Sequence, residues 1–319
     1  MGDEYPHPSA LLRKYGLGAK KSWGQNFLCD SAAYAAILRA AALTPEDWAI
    51  EIGAGLGTLT ARLCDAAGKV ITIERDRDMA AIVRAELAEH LESGRLELCE
   101  GNAGTYDYAA VAARAGRRPV LVGNLPYQIA TPLLFLMIDA RRALARWVCM
   151  LQLEMAERIV APPGSKTYGG LGVMCQAYAR VKLVARVKAG AFLPAPKVDS
   201  AVVLFEPFEA GARCDLGDDR RFADLVRRAF QMRRKTLRNA LRSGAPIEQL
   251  DAALASTGID GGRRGETLSV EEFAALSRAL GALGVAGRDA GADAGAQGEG
   301  RGEGDGDGEG EGHGRAGDA

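Results

Sequence analysis

Between Trp48 and Leu151, short runs of apolar and β-branched residues alternate with segments of helical spacing, and this alternation admits few architectures. The runs are WAIEI at 48–52, KVITIE at 69–74, RLELCE at 95–100, PVLVGN at 119–124 and RWVCML at 146–151, with a helical pattern at 75–91. Strands joined by helices form βαβ units, whose crossovers make the strands parallel and cover both faces of the sheet. Two more β-type runs, at 179–187 and 198–206, flank a proline-rich turn and are expected to close the sheet as an antiparallel pair. After Gly211 the pattern turns helical, at 220–231, 233–242, 246–257 and 269–280. The expectation is an α/β fold with a small all-helical C-terminal domain, in a chain of 319 residues that is long enough for each part to have its own core. The expected divisions are 1–30, 31–210, 211–283 and 284–319.

Charge is spread unevenly over this framework. The whole chain carries a formal −1, but from Gly281 onward nine acidic residues face three arginines, a local −6, which leaves +5 for residues 1–280. The folded part is therefore mildly basic, and a polyanionic partner stays open. From about Gly284 the chain is rich in Gly, Asp, Glu and Ala and almost free of large apolar side chains, so this tail is expected to be disordered. Six cysteines (Cys29, Cys64, Cys99, Cys149, Cys175, Cys214) include no CxxC pair and only three histidines accompany them, which predicts reduced thiols and no metal site. No run approaches the ~20 apolar residues that span a bilayer, and the N-terminus has no apolar signal core. A soluble, cytoplasmic protein is expected.

The first run ends in EIGAGLG at 51–57. Glycines there allow a sharp turn and a close approach of the backbone to a ligand, so Gly53 and Gly55 are candidate cofactor contacts. By itself the pattern also suits a dinucleotide or a merely tight turn. The second run ends at Glu74, where a carboxylate can accept hydrogen bonds from ribose hydroxyls, as it would in an NAD enzyme too. Beyond the third run stands Asn102, which is positioned either to meet a base ring or to cap a turn.

The fourth run enters Gly-Asn-Leu-Pro-Tyr at 123–127, the most informative five residues. An adenine N6 amine is a poor nucleophile because its lone pair is delocalised into the ring. The side-chain oxygen of Asn124 and the main-chain carbonyl of Leu125 could accept the two amine hydrogens and turn that pair toward a methyl donor. Pro126 fixes the turn, and Tyr127 offers a flat face on which an extruded base can stack. Phe192 is either a second aromatic wall or an ordinary core residue. Attack on a sulfonium methyl needs no strong base, so the absence of a histidine-centred triad fits such chemistry.

Taken together, these residues resemble the ribosomal RNA adenine N6,N6-dimethyltransferases, the KsgA/RsmA family. The likeness covers roughly residues 18–280 and rests on seven motifs in order: KSWGQNFL at 21–28, EIGAGLG at 51–57, IERD at 73–76, GNLPY at 123–127, PGSKTYG at 163–169, FLPAPKVDS at 192–200 and RRKTLRN at 233–239. It implies a Rossmann-like methyltransferase that uses S-adenosyl-L-methionine. The implied substrate is a pair of adjacent adenines in the 3′-terminal hairpin loop of 16S rRNA, within the 30S subunit or its precursor, and the implied enzyme is a monomer. By that resemblance Asn26 and Leu28 help hold the cofactor, Gly53 lies beneath its methionine part, Glu74 takes the ribose, and Asn124 touches both cofactor and substrate. Asn102 stands where the family carries an acid on the adenine amine. An amide oxygen still accepts there, so the resemblance implies weaker cofactor binding rather than lost function. Ala54 replaces the proline of EIGPG, and Gln128 follows Tyr127 where Asn or His is commoner.

Between Arg220 and Arg242 nine basic residues accompany one acid, Asp224. A helix carrying Arg227, Arg228, Arg234, Lys235, Arg238 and Arg242 would present a cationic face to RNA phosphates, the bland alternative being a solvated arginine-rich surface. Three rival readings share parts of the pattern. A large-subunit rRNA methyltransferase of the macrolide-resistance type has the same Asn-x-Pro-aromatic chemistry but resembles 192–200 and 233–239 less. A non-catalytic 30S assembly factor has no need of an intact 124–127, and an NAD oxidoreductase leaves Asn-Leu-Pro-Tyr unexplained.

Overall fold

The structure, a computed structural model, describes residues 5–20, 24–126, 129–232 and 234–287. Tyr127 and the acidic stretch from 288 onward lie outside the described residues. A short helix, α1 (Pro8–Lys14), leads to a two-residue strand, β1 (Phe27–Leu28), and then to α2 (Ser31–Ala41), whose first turn Asp30 caps by accepting from Ala33 N at 2.7 Å. The alternating run follows as β2 (Trp48–Ile52), α3 (Thr58–Ala66), β3 (Lys69–Glu74), α4 (Arg77–Glu86), α5 (Ala88–Glu92), β4 (Leu96–Glu100), α6 (Tyr108–Ala115), β5 (Val120–Asn124), α7 (Ala130–Asp139) and β6 (Arg146–Gln152). Helices α8 (Leu153–Val160) and α9 (Gly170–Tyr178) precede β7 (Ala179–Val187), β8 (Phe192–Leu193) and β9 (Ser200–Pro207). The described chain closes with α10 (Asp219–Gln231), α11 (Leu237–Leu241), α12 (Ile247–Thr257) and α13 (Val270–Ala282).

Seven strands form one sheet in the order β4-β3-β2-β5-β6-β9-β7. The five strands of the alternating run are parallel, and β9 lies antiparallel between β6 and β7, which makes the late strands the expected antiparallel pair. The chain runs outward from β2 to β4, then returns to the other side of β2 as β5. In a doubly wound sheet that reversal opens a crevice at the carboxyl ends of the two strands. A separate two-stranded pair joins β1 to β8, with Phe27 opposite Leu193 and Leu28 opposite Phe192.

Because side chains alternate across a strand, each strand feeds two cores. Ile50, Ile52, Ile71, Ile73, Leu121, Trp147 and Cys149 face one side, whereas Ala49, Val70, Val120, Val122, Val148 and Met150 face α2 and α3 on the other. The first of these clusters continues without a break through α8 and α9 into Phe222, Leu225, Val226, Phe273 and Leu276 of the C-terminal helices. Those helices were expected to bury a core of their own; instead they share the interior of the sheet. Among the described residues no helix is long and apolar enough to cross a membrane.

One charged side chain sits inside the smaller core. Glu51, between Ile50 and Ile52 on β2, is fully buried, and its Oε2 accepts hydrogen bonds from Thr60 Oγ1 at 2.6 Å and Thr72 Oγ1 at 2.8 Å. Its other oxygen has no partner among the described residues. Burial pushes the carboxyl up to about 7, partly opposed by the two threonine hydroxyls. A carboxyl that keeps its proton to about pH 7 when folded, against an ordinary 4.5, supports folding fully below pH 4.5 and withdraws that support as the pH climbs to 7. Glu51→Gln, which cannot ionise, is expected to flatten this slope. Urea unfolding at pH 5, 6, 7 and 8 should find the wild type losing on the order of 3 kcal/mol relative to the variant across that range. Parallel pH profiles for the two proteins would remove Glu51 as the cause.

Candidate active site

The crevice at the reversal between β2 and β5 holds a cavity of about 610 Å³, and the ends of four parallel strands meet there. From β2 come Gly53 and Gly55, from β3 Glu74, from the turn after β4 Asn102, and from β5 Asn124, Leu125 and Pro126. Gly53 and Gly55 take φ of 80° and 53°, values that residues with a Cβ rarely adopt. Gly123 serves a different need. A Cβ there would stand 2.9 Å from Leu125 Cδ2 and 3.3 Å from the Ile52 carbonyl, so a side chain at this position would push against Leu125 and β2 just before Asn124.

Glu74 fixes the floor. One carboxylate oxygen accepts from Gly55 N at 2.9 Å and the other from Asp76 N at 2.7 Å, so the glycine turn and the β3–α4 junction are tied to one side chain. Glu74 is only 8% exposed, and burial raises its carboxyl above the ordinary value against the opposing pull of these N–H groups. The Arg75 N–H also acts on this carboxylate, and of its four lone-pair directions one remains for a ligand hydroxyl.

The N-terminal segment forms another wall, with Gly24, Gln25, Asn26 and Phe27 lining the cavity. Lys20 Nζ bonds Asp76 Oδ1 and Asp78 Oδ2, both at 2.7 Å, and Gln25 Nε2 reaches Asp76 Oδ2 at 2.7 Å. Burial works to raise the Asp76 carboxyl, but the hydrogen bonds from Lys20 and Gln25 outweigh it and hold Asp76 below its ordinary value. Asp76 in turn donates its backbone N–H to Glu74, so the wall and the floor form one network.

Asn124 is set from the same wall. Its Nδ2 donates to the Asn26 carbonyl at 3.3 Å, which directs the amide nitrogen to the N-terminal segment and leaves Oδ1 without a partner among the described residues. Asn102 serves both of its expected roles in part: it lines the cavity, and its Oδ1 also accepts from Gly104 N at 2.9 Å as the cap of a short 3-10 turn.

Two sequence candidates stand apart from the cavity. Leu28 and Phe192 face each other across the β1–β8 pair, both at least 95% buried, and pack in the smaller core beneath the wall. Phe27, which the sequence reading passed over, takes the cavity side of that pair; it is buried with Leu11, Leu56, Met79 and Ile82, and its ring atoms lie 3.4 Å from where a Cβ on Gly55 would stand. Strand alternation links the two facts, since neighbours on β1 must face opposite ways. The apolar wall from α7, Pro132, Leu133 and Leu136 with Ile129 just before it, was also missed; the helical spacing after Pro126 was its only signal.

The basic run does not form one cationic helix face, because α10 ends at Gln231 and α11 begins at Leu237. Arg228 is 6% exposed and binds Asp224 at 2.8 Å and Ser243 Oγ at 3.0 Å, so it is an interior ion pair. Asp224 also accepts from Arg227 at 2.5 Å. Arg238 makes a double bond of this kind with Asp251, at 2.6 and 2.7 Å. Arg234, Lys235 and Arg242 are exposed and have no ion-pair partner among the described residues. Arg264 joins them from the next loop, brought close by Leu237 N donating to the Arg263 carbonyl at 2.6 Å.

A family model for ribosomal RNA adenine dimethylase matches residues 16–281. The ribosomal RNA small subunit methyltransferase A of Anaeromyxobacter dehalogenans (strain 2CP-C) is 49% identical over 293 residues, spanning 88% of this chain and 100% of that protein. Its namesake from Geobacter metallireducens is 42% identical over 277 residues, spanning 86% and 99%. Among solved structures, a dimethyladenosine transferase from Plasmodium falciparum superposes with a TM-score of 0.70 at 27% identity, covering 81% of this chain and 98% of that one. The 23S rRNA methyltransferase ErmE gives a TM-score of 0.61 at 26% identity, covering 80% and 100%.

The network around Asp76 carries its own expectation. Asp76→Asn removes the charge that holds Lys20 and Gln25, a loss of about 1.5–3 kcal/mol for charge-assisted hydrogen bonds. Amide hydrogen exchange should then quicken about 10- to 100-fold over residues 24–28 while the parallel strands keep their protection. Unchanged exchange there would mean the wall is held by the β1–β8 pair alone.

Proposed function

Because the chain belongs to the ribosomal RNA adenine dimethylase family, we infer that it dimethylates N6 of two adjacent adenines in the 3′-terminal hairpin loop of 16S rRNA, with S-adenosyl-L-methionine as methyl donor, during late 30S assembly. The observation that carries the mechanism is the amide of Asn124, whose nitrogen donates to the Asn26 carbonyl while its oxygen meets no donor among the described residues.

The cavity suits the donor. Its volume of about 610 Å³ is in the range of small-molecule sites, it begins at a glycine turn with positive φ, and it ends in a carboxylate with a spare lone pair. Gly53 and Gly55 would lie against the amino-acid part, Glu74 would accept from a ribose hydroxyl, and Asn102 with the Ala103 backbone would meet the base. When bound, the donor supplies an activated methyl carbon on a sulfonium. Asn26 contributes through its main chain, by aligning Asn124.

The rest is done by this chain's own atoms. Asn124 Oδ1 and the Leu125 carbonyl each accept one hydrogen of the target amine, which holds the nitrogen with its lone pair turned out of the ring plane. Leu125 is 1% exposed and its N–H donates to the Met150 carbonyl at 3.3 Å, so the residue is anchored on the N-terminal side of the carbonyl it presents. Pro126 restricts the turn that follows. Tyr127 is proposed to stack on the extruded base. Phe192 is proposed to act from below, by backing the wall that carries Phe27. In each transfer an N–C bond would form as the donor's S–CH3 bond breaks, and the nitrogen would then lose a proton to solvent; after the first, one hydrogen remains, so one of the two oxygens accepts it and the other is vacated.

RNA contact is assigned to the helical part, 211–283, through Arg234, Lys235 and Arg242, with Arg238 able to join by exchanging Asp251 for a phosphate. Arg227 and Arg228 act behind them, by bracing α10 through Asp224. The segment 1–30 supplies the wall, and 31–210 the sheet. Everything the reaction needs comes from one chain, which supports a monomer acting on the cytoplasmic 30S precursor. The large-subunit alternative has less support: the relatives at 42–49% identity are named for the small subunit, whereas ErmE stands at 26%.

Asn124→Ala is expected to lower methyl transfer at least about 10²- to 10³-fold, the usual cost of deleting one preorganised catalytic hydrogen-bonding group, while RNA affinity in gel shifts stays within about twofold. Labelled methyl donor, small subunits lacking dimethyladenosine and nucleoside analysis provide the assay; retained turnover would take Asn124 out of the mechanism. R234E/K235E should weaken RNA binding about tenfold at 100 mM salt and reduce the slope of log affinity against log salt by about 1.5. An unaltered slope would return those residues to solvent.

A further inference from the structure

The described chain ends against the basic helix. Arg221, in the first turn of α10, donates to the carbonyls of Ser277 at 2.7 Å and Val285 at 3.2 Å, and Gly287 packs directly on the backbone of Arg220 and Arg221. The acidic stretch therefore departs from the start of α10. The exposed cations Arg234 and Lys235 follow the other end of that helix, and the eleven residues from Arg221 to Gln231 rise only about 15 Å.

The stretch itself is patterned. Acids stand at Glu303, Asp305, Asp307, Glu309 and Glu311, with glycine at every position between them. In extended chain, alternate residues project to one side about 7 Å apart, close to the separation of successive phosphates along a nucleic-acid strand. Glycine brings no side chain to pack, so such a segment has only its row of anions to offer. The sixteen residues at 288–303 reach about 20–24 Å as a flexible chain and up to about 55 Å when stretched, which covers the length of α10. The cations left to meet such a row include Arg234, Lys235 and Arg242, exposed and without ion-pair partners among the described residues.

We propose that the acid–glycine segment at 303–311 occupies the surface of Arg234, Lys235 and Arg242 as an intramolecular stand-in for an RNA backbone, which RNA must displace in order to bind. The competitive half of this rests on the reading of that surface as an RNA contact; the docking half does not. An RNA that engages only phosphates faces the full competition of a tethered polyanion. The target hairpin gains additional contacts at the cavity and displaces the segment, so the arrangement sharpens selectivity at the expense of overall affinity.

The test uses the full chain. A zero-length carbodiimide, applied without RNA, joins carboxylates to amines that touch, and peptide mapping should find Lys235 linked to the peptide 302–315 in preference to Lys182 or Lys197. The link should disappear at 0.5 M salt and in the full-length variant E303Q/D305N/D307N/E309Q/E311Q. That variant should also bind an unrelated single-stranded RNA about tenfold more tightly than the wild type at 50 mM salt, with the gain shrinking below about twofold at 300 mM. In an R234A/K235A/R242A background the same neutralisation should yield no gain. Absence of the Lys235 link, or equal linking to all exposed lysines, overturns the docking. A link without any gain in RNA affinity overturns the competition. If R234E/K235E leaves RNA binding unchanged, the assignment of this surface to RNA has failed, and the cross-link alone then decides the docking.

Discussion

The site depends on one carboxylate that is held by main-chain donors. Glu74 receives the N–H groups of Gly55 and Asp76, and so sets the glycine turn and the end of β3 in a single arrangement. From Asp76 the hydrogen bonds continue to Lys20 and Gln25, and from the same N-terminal wall the Asn26 carbonyl reaches the amide of Asn124. The floor of the cavity and the amide proposed to grip the substrate thus belong to one connected network. A carboxylate suits this because it accepts from several backbone groups and still has a lone pair for a ligand, whereas an amide in its place would bring a donor where an acceptor is needed.

The connection also bears on the role proposed for Asn124. Its side chain has one donor end and one acceptor end, and only the acceptor serves an amine. Spending the donor end on the Asn26 carbonyl removes the freedom to flip, so the oxygen is presented without reorganisation when a base arrives. Asn26 therefore matters through its main chain as well as through its own amide, which bonds the Gly24 carbonyl at 2.9 Å and stiffens the loop.

Much of this was legible in the sequence, for identifiable reasons. Parallel strands buried on both faces read as continuous apolar runs, and β2, β3, β5 and β6 fall within a residue of the runs read as strands. The residues at the strand ends, Gly53, Glu74, Asn102 and Asn124, could be found because each follows such a run. What could not be read depends on partners distant in the chain. Nothing local says that Leu28 pairs with Phe192, and so nothing assigned the cavity to Phe27 and the core to its neighbour. The insertion of β9 between β6 and β7 is equally non-local. Arg228 was misplaced for another reason: Asp224 lies four residues before it, a spacing that stacks the two on one helix face, and that pairing, more than the count of basic residues, decided which cations reach solvent.

The shared interior has a consequence for how a target is met. Tyr168 and Val173 from the sheet side and Phe222, Phe273 and Leu276 from the C-terminal helices belong to one continuous apolar cluster, so swinging the helical part away would expose that shared interior to water. A molecule built this way does not clasp its ligand. In the proposed reaction its exposed cations and the Asn124 and Leu125 oxygens would stand at a set separation, like the jaws of a fixed gauge, and the RNA would be the partner that adjusts.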